Sequence, residues 1–197
     1  MSAPPADPIV LASTSPQRRA ILEQLRIPFE IVAPTYDERD PAEADAVALV
    51  REHAQGKARS VADAANGRPV LGVDTAVVLG GRIYGKPADA NDAEQMLDAL
   101  SGQTHAVVSG ICLVTPGWEV VDADTTFVTF RRLTPRDLAH YVASGEWEGR
   151  AGAYAIQGLG ASLVERIEGD YLNVVGLPGA LLVRLLAERF SGVYGFG

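Results

Sequence analysis

The first candidate functional residue is an aspartate in an apolar segment. Asp74 lies within VLGVDTAVVL, residues 70–79, a run apolar enough to predict a buried strand. An unpaired carboxylate is costly to bury, so we expect a metal ion, a cation or a proton-transfer role to offset that cost. The alternative interpretation is a local bend of the chain capped by Asp74 and Thr75, and we favour the functional one.

The segment STSPQRR, residues 13–19, predicts a strand that leads directly into a helix. Ser15 is a good N-cap, and the proline after it is a good first helical residue. The free N–H groups and positive dipole end of such a helix can bind an anion, although simple capping is the alternative. Arg18 is in line with the apolar stripe of this helix and is predicted to point inward as an anion ligand, whereas Arg19 can pair with Glu23 on the surface.

Two lysines are further candidates for binding an anion. Lys57 falls on the edge of the apolar stripe of a helix predicted over residues 44–65, as does His53. A lysine there usually extends to solvent, so its role stays open. The segment GGRIYGKP, residues 80–87, nearly matches a P-loop, but proline replaces the hydroxyl residue after the lysine and no helix follows, so we reject a P-loop. Lys86 is then either a fixed phosphate contact or the end of a hairpin.

The carboxylates and histidines indicate which kind of metal the chain could hold. Asp37 and Glu38 follow a predicted strand in an acidic loop, and such loops are usually only solvated. The three histidines have no zinc-ligand spacing, and the single cysteine has no partner. Any bound metal is therefore expected to be a hard ion held by carboxylates and phosphate oxygens, either Mg²⁺ or Mn²⁺.

Composition and charge argue against a nucleic-acid-binding protein and against a membrane-spanning one. A formal net charge of −8 argues against non-specific binding to nucleic acid, which needs a basic surface. It does not argue against a phosphate-bearing small molecule, since distant surface charges are screened over about 8 Å at physiological salt. No apolar run is long enough to span a membrane, and the N-terminus lacks the features of a signal peptide. With one cysteine, these features favour a cytoplasmic location.

Helical and strand patterns alternate along the chain. The predicted strands cover residues 8–13, 28–33, 70–79, 104–115, 120–131 and 162–167, and the predicted helices cover residues 15–25, 44–65, 89–100, 134–143 and 178–190. The two longest strands are predicted to form a hairpin through Pro116 and Gly117. Interleaved helices and strands with a long hairpin imply an α/β fold with a mixed β-sheet. Residues 1–197 are expected to form a single domain, or two lobes around a shared core.

Seven motifs in order give the chain a family resemblance. They are LASTSPQRRAIL, the pair Asp37 and Glu38, GVDTAVVL, GKP, LSGQTHAV, AGAYAIQG and NVVGLP. Together they resemble the Maf family of nucleotide pyrophosphatases, which is historically linked to septum formation. The resemblance implies a fold similar to that of the inosine-triphosphate pyrophosphatases, in which a long mixed sheet with flanking helices forms two lobes around a central cleft.

The resemblance also implies roles for individual residues. Asp74 would act as a general base on water or help to bind the metal, and Glu38 would be a second carboxylate at the metal. The implied phosphate-binding residues are Ser13, Ser15, Arg18, Lys57 and Lys86, of which the two lysines join Asp74 and Glu38 as the catalytic set. The expected reaction is attack of water on the α-phosphate of a nucleoside triphosphate, with pyrophosphate leaving. A homodimer is also expected from the family.

Three further positions bear on the choice of nucleotide base. Gln17, Thr75 and Gln157 occupy the family's specificity positions, and two of the three match the branch that prefers dTTP and UTP. An amide such as that of Gln157 can both accept from and donate to uracil or thymine. Two alternatives stay open: a pyrophosphatase for 7-methyl-GTP or other modified purine nucleotides, and a regulator of septum formation that binds nucleotides without hydrolysing them.

Overall fold

The computed structural model describes residues 7–38 and 45–197. Its strands are β1 (Ile9–Leu11), β2 (Phe29–Ile31), β3 (Val70–Leu79), β4 (Arg82–Tyr84), β5 (Thr104–Thr115), β6 (Trp118–Phe130) and β7 (Val164–Glu168). Its α-helices are α1 (Pro16–Gln24), α2 (Ala46–Ser60), α3 (Ala90–Leu100), α4 (Pro135–Ala143), α5 (Tyr171–Val175) and α6 (Gly179–Phe190). Within these described residues, no helix combines the length and apolar character needed to cross a lipid bilayer.

The seven strands form one mixed sheet, which confirms the predicted fold class. The strand order is β2-β1-β3-β5-β6-β7, and β4 pairs with β3 off this path. Strand β1 is parallel to both β2 and β3, whereas β3–β4 and β6–β7 are antiparallel. The predicted hairpin is confirmed too, because β5 and β6 are neighbours in the sheet and only Pro116 and Gly117 separate them.

The structure differs from the predicted elements at helix α2, between α4 and β7, and at helix α5. The helix predicted over residues 44–65 begins, within the described residues, at Ala46, ends at Ser60, and gives way to a short 3₁₀ helix, Asp63–Ala65. The left-handed backbone of Asn66, with φ 51°, then stops further winding. Between α4 and β7, where no helix was predicted, lie two more 3₁₀ helices, Ala151–Ala153 and Gly158–Leu163. As a result β7 starts later than predicted, and the short helix α5 was not predicted.

The chain divides into two compact units. The first comprises residues 1–74, 109–124 and 176–197, and the second comprises residues 75–108 and 125–175. Two units agree in number with the two lobes that the family resemblance implies. The predicted cleft between lobes and the predicted single domain of residues 1–197 stay predictions.

In the first unit, two glycines allow helix α2 to lie directly on the sheet. A β-carbon on Gly72 of β3 would lie 2.1 Å from the carbonyl oxygen of Ala54, and one on Gly110 of β5 would lie 2.1 Å from that of Val50. Any larger residue at either position would push the helix outward. The apolar side chains of this contact are Val10, Ala12, Ala54, Ala58, Val61, Ala65, Val70 and Cys112. This close packing brings the side chains of α2 to Asp74, two residues beyond Gly72.

The second unit has its own apolar core. Helices α3 and α4 and the adjoining parts of the long strands supply it, with Leu97, Leu100, Phe130, Tyr141 and Leu163 among its most buried residues. His105 lies inside this core, where its Nε2 is 2.9 Å from the hydroxyl oxygen of Tyr154. Burial lowers the pKa of His105 to about 4, so the ring is neutral near pH 7 and serves packing.

Candidate active site

Lys57 is buried in the first unit and pairs with two carboxylates. Its Nζ lies 2.6 Å from Oδ1 of Asp74 and 2.8 Å from Oε1 of Glu38. Only 7% of the lysine side chain is exposed, so the usual extension to solvent does not occur. The sequence left the role of Lys57 open, and the structure places it at the centre of an ion-pair network.

Asp74 has both carboxylate oxygens engaged by side chains of helix α2. Oδ1 accepts a hydrogen bond from Lys57, and Oδ2 lies 3.4 Å from Nδ1 of His53. Lys57 and His53 are four residues apart on α2, so they project from the same face of the helix. The alternative of a local bend at residues 74 and 75 is wrong, because β3 runs unbroken through both of them. The cation offsets the cost of burying the aspartate, as a carboxylate in an apolar strand requires.

Glu38 differs from a residue of the usual solvated acidic loop. Glu38 has a side chain that is 44% exposed, yet it pairs with the buried ammonium group of Lys57. Both carboxylates share one lysine, so Glu38 and Asp74 lie close together, and their role at a metal ion stays a prediction. Asp37 beside it is exposed.

The start of helix α1 is built as predicted. Ser15 is the N-cap, and its Oγ accepts from the backbone N–H of Arg18 at 3.5 Å and donates to Oε1 of Gln17 at 3.1 Å. Ser13 is buried, and its Oγ accepts from the backbone N–H of Ser15 at 3.2 Å. Hydrogen bonds thus link residues 13, 15 and 17 at the positive end of α1, through the backbone N–H and the hydroxyl group of Ser15.

Arg18 points inward, as its place on the helix predicted. Its Nε donates to the carbonyl oxygen of Gly176 at 3.0 Å, and its Nη1 donates to Oγ of Ser13 at 3.1 Å. Burial lowers the pKa of Arg18, and the negative charges of Asp74 and Glu38 oppose that shift. The guanidinium is therefore close enough to both carboxylates to feel their field. The neighbouring Arg19 instead makes the predicted surface pair with Glu23 at 2.8 Å.

Three groups in the first unit have the chemistry of metal ligands. Glu38, His53 and Asp74 each offer one ligand atom, and these atoms all lie within 4.8 Å of one another. The donor set suits a divalent ion, and the ammonium group of Lys57 lies between the two carboxylates. Sequence reasoning missed His53 because it considered only the spacing of histidines along the chain, whereas these ligand atoms come from three separate segments.

The remaining predicted site residues belong to the second unit. Lys86 is exposed just after β4, Thr75 is half-buried on β3 next to Asp74 in the chain, and Gln157 is exposed. Gln157 occupies the N-cap position of the 3₁₀ helix Gly158–Leu163, but its side chain makes no capping hydrogen bond. Its amide is therefore not committed to the helix start. Whether these three residues meet the nucleotide stays a prediction.

Glu146 organises the segment around Gln157 and was not predicted. Its two carboxylate oxygens accept from the backbone N–H groups of Leu159 and Gly160, at 3.0 and 3.1 Å. A carboxylate is favourable at a helix start, where N–H groups are unsatisfied. Tyr141 adds a further contact, since its hydroxyl oxygen accepts from the backbone N–H of Ala155 at 3.0 Å. Contacts between residues this far apart in the chain leave no local pattern in the sequence.

The first unit thus combines a helix start of the kind that can bind an anion, a buried cation and two carboxylates, as is typical of enzymes that cleave phosphate anhydrides. A family model described as Maf-like protein matches residues 8–189. The chain belongs to the Maf family.

Curated relatives cover most of the chain. It is 44% identical over 197 residues to a protein of Deinococcus radiodurans, which covers 100% of both chains. It is 49% identical to a protein of Nitratidesulfovibrio vulgaris, over 93% of this chain and 89% of the relative. It is 50% identical to a protein of Gloeobacter violaceus, over 91% and 95%. Each of the three is named dTTP/UTP pyrophosphatase.

One solved structure is also similar, at a low level. The Staphylococcus aureus Ham1 protein matches with a TM-score of 0.42 and 17% sequence identity, over 63% of this chain and 72% of that one. A likeness of this size says nothing about substrate or mechanism.

Proposed function

We propose that this protein hydrolyses nucleoside triphosphates, with dTTP and UTP as substrates, to the nucleoside monophosphate and pyrophosphate. The observation that carries the proposal is the buried network in which Lys57 joins Asp74 and Glu38. The names of its relatives support both the reaction and the pyrimidine bases.

The triphosphate is an anion, and the first unit supplies positive charges and N–H groups that can bind it. Helix α1 offers its positive end, and Arg18 and Lys57 add two positive charges near Asp74. Backbone N–H groups at a helix start and buried cations are both favourable to phosphate oxygens. Lys86 is exposed, and we propose that it contacts phosphate oxygens, as the family resemblance implies.

Asp74 is the proposed general base. It takes a proton from water as the water oxygen bonds to the α-phosphorus and the bond from that phosphorus to the bridging oxygen breaks. The electron pair of the broken bond stays on the departing pyrophosphate. Lys57 and Arg18 stabilise the negative charge that develops, which is the main requirement of phosphoryl transfer.

Glu38 and Asp74 would hold a divalent ion, Mg²⁺ or Mn²⁺. When bound, such an ion supplies Lewis-acid stabilisation of phosphate oxygens. Two carboxylates together with phosphate oxygens form a suitable ligand set for either ion. The two carboxylates already share one cation, the Lys57 ammonium, which supports this assignment.

Base recognition is proposed for Gln157. Its side chain is exposed and makes no capping bond, and its amide can pair with the N–H and a carbonyl of uracil or thymine. Gln17 is placed differently, because its Oε1 accepts from the hydroxyl of Ser15. We therefore assign Gln17 to the phosphate end of the substrate and Thr75, the remaining specificity position, to the sugar or base.

Pyrophosphate release tests the proposal. The protein is incubated with dTTP, UTP, 7-methyl-GTP or ITP, each with Mg²⁺ or Mn²⁺. We expect the highest kcat/KM with dTTP and UTP, and a loss of at least about 1000-fold in Asp74→Asn, as is common when a general base is removed. Asp98→Asn, at an exposed position of α3, is the matched control. Preference for the purines would favour the modified-purine alternative, and binding without release at any metal concentration would favour the regulator.

A further inference from the structure

We propose that His53 is a nitrogen ligand of the divalent ion held by Glu38 and Asp74. The site would then favour metals that accept imidazole, such as Mn²⁺ and Co²⁺, over Mg²⁺. The inference rests on the proposed function only in requiring a divalent ion at this cluster, and it is independent of which nucleotide is cleaved.

The position of the His53 ring supports this role. Only 2% of its side chain is exposed, and Nδ1 lies 3.4 Å from Oδ2 of Asp74. One ring nitrogen and one oxygen from each of Glu38 and Asp74 fall within 4.8 Å of one another. Atoms that share one ion with bond lengths near 2.1 Å stand about 3 to 4 Å apart. The observed spacing requires only a small adjustment of side chains.

The ring is also held in a defined orientation. Tyr36 packs edge-on against it, with ring centroids 5.7 Å apart and an interplanar angle of 60°. Gly56, one turn along α2, makes room for that tyrosine, since a β-carbon at residue 56 would lie 2.3 Å from the Tyr36 ring. A ligand whose orientation is fixed before the ion arrives loses less entropy on binding it.

Lys57 does not compete with His53 for the same oxygen. The ammonium group takes Oδ1 of Asp74, and the imidazole lies at Oδ2. Lys57 therefore pairs with a different oxygen of Asp74 from the one nearest to His53. Both residues come from α2, so the helix presents an ammonium group and an imidazole ring to different oxygens of one carboxylate.

A nitrogen ligand predicts which metal ion the site prefers. Mg²⁺ takes oxygen ligands almost exclusively, whereas imidazole nitrogen suits transition metals. If His53 is a ligand, its removal weakens the binding of Co²⁺ much more than that of Mg²⁺. If His53 only positions Asp74 through their contact, its removal weakens both metals by the same factor.

The first test is spectroscopic and compares isotopes of the same side chain. The whole protein is loaded with Mn²⁺ alone, and electron spin-echo modulation is recorded with natural-abundance histidine and with ¹⁵N-histidine. We expect imidazole ¹⁴N modulation that changes to the ¹⁵N pattern on labelling. His140→Gln, at an exposed position of α4, should keep the signal, and His53→Gln should lose it. An absent signal, or one that depends on His140, overturns the proposal.

The second test measures the affinities of Co²⁺ and Mg²⁺ by calorimetry in His53→Gln, His53→Leu and His140→Gln. We expect the two substitutions of His53 to lower Co²⁺ affinity by at least about tenfold and Mg²⁺ affinity by less than about threefold. Equal losses for the two metals, or none, overturn the ligand assignment. Circular dichroism and melting curves confirm folding of each variant. Neither test uses a nucleotide, so the two proposals can fail separately. Pyrophosphate release without nitrogen coupling would reject the ligand role of His53 alone. Nitrogen coupling without pyrophosphate release would reject the proposed reaction alone.

Discussion

The ammonium nitrogen of Lys57 lies 2.6 Å from Oδ1 of Asp74, and both side chains are largely buried. A pair so placed is stable only while each charge keeps its partner, because either charge alone would be left without water. The two residues therefore depend on each other for stability as well as for the proposed chemistry.

Replacing Lys57 by Met should destabilise the protein by about 3 kcal/mol, since Asp74 keeps its charge and loses the cation. Urea unfolding in the presence of EDTA measures this, because EDTA prevents a metal ion from compensating. Arg59→Met is the control. Arg59 also lies on α2 but pairs with Glu119 at the surface, so its loss should cost less than about 1 kcal/mol. Equal effects of the two substitutions would contradict the structure.

Adding a methyl group at Gly72 should move helix α2 away from the sheet. The β-carbon of Gly72→Ala would lie 2.1 Å from the Ala54 carbonyl oxygen and 2.9 Å from the β-carbon of Ala58. We expect a loss of about 1–3 kcal/mol from overpacking and weaker metal binding, because the proposed ligand His53 moves with the helix. Gly117→Ala, where no atom lies within 4 Å of the added carbon, should unfold at the same urea concentration as the parent.

Removing the charge of Glu146 should loosen the segment that carries Gln157. In Glu146→Gln one of the two backbone N–H groups, of Leu159 or Gly160, faces an amide NH₂ instead of an oxygen. Amide hydrogen exchange at these two residues should accelerate by at least about tenfold, and KM for UTP should rise more than kcat falls. Glu148→Gln, at an exposed position, serves as the control. Unchanged exchange would mean that the carboxylate does not hold the segment.

The free energy of unfolding should fall as the pH drops from 6.5 toward 4, because of His105. Its pKa is about 4 in the folded protein against 6.5 for an unperturbed histidine, so the unfolded chain binds the proton first as the pH drops. Stability is therefore complete above pH 6.5 and declines toward pH 4, by about 3 kcal/mol in total. Urea midpoints across this range should follow that slope in the parent and in His140→Gln. In His105→Gln the slope should be smaller, and an identical slope would assign the effect to other groups.

Sequence reasoning succeeded where the physical signal is local. A carboxylate in an apolar strand predicted that a metal ion, a cation or a proton-transfer role offsets the burial of Asp74, and the structure places the cation of Lys57 beside it. A serine followed by proline predicted the start of helix α1. It left Lys57 undecided, because the edge of a helical stripe does not reveal what the neighbouring strand carries. His53 and Glu146 were missed for the same reason. Asp74 lies 21 residues beyond His53, and Leu159 and Gly160 lie 13 and 14 residues beyond Glu146.

Lys57 and His53 reach opposite oxygens of the same acid from one rigid helix. Any sideways displacement of that helix, whether caused by a ligand, a mutation or heat, must therefore alter the surroundings of both oxygens at once. When a ligand is titrated into the protein, the chemical shifts of Asp74 and of the His53 ring should therefore change together, because both report the position of the same helix.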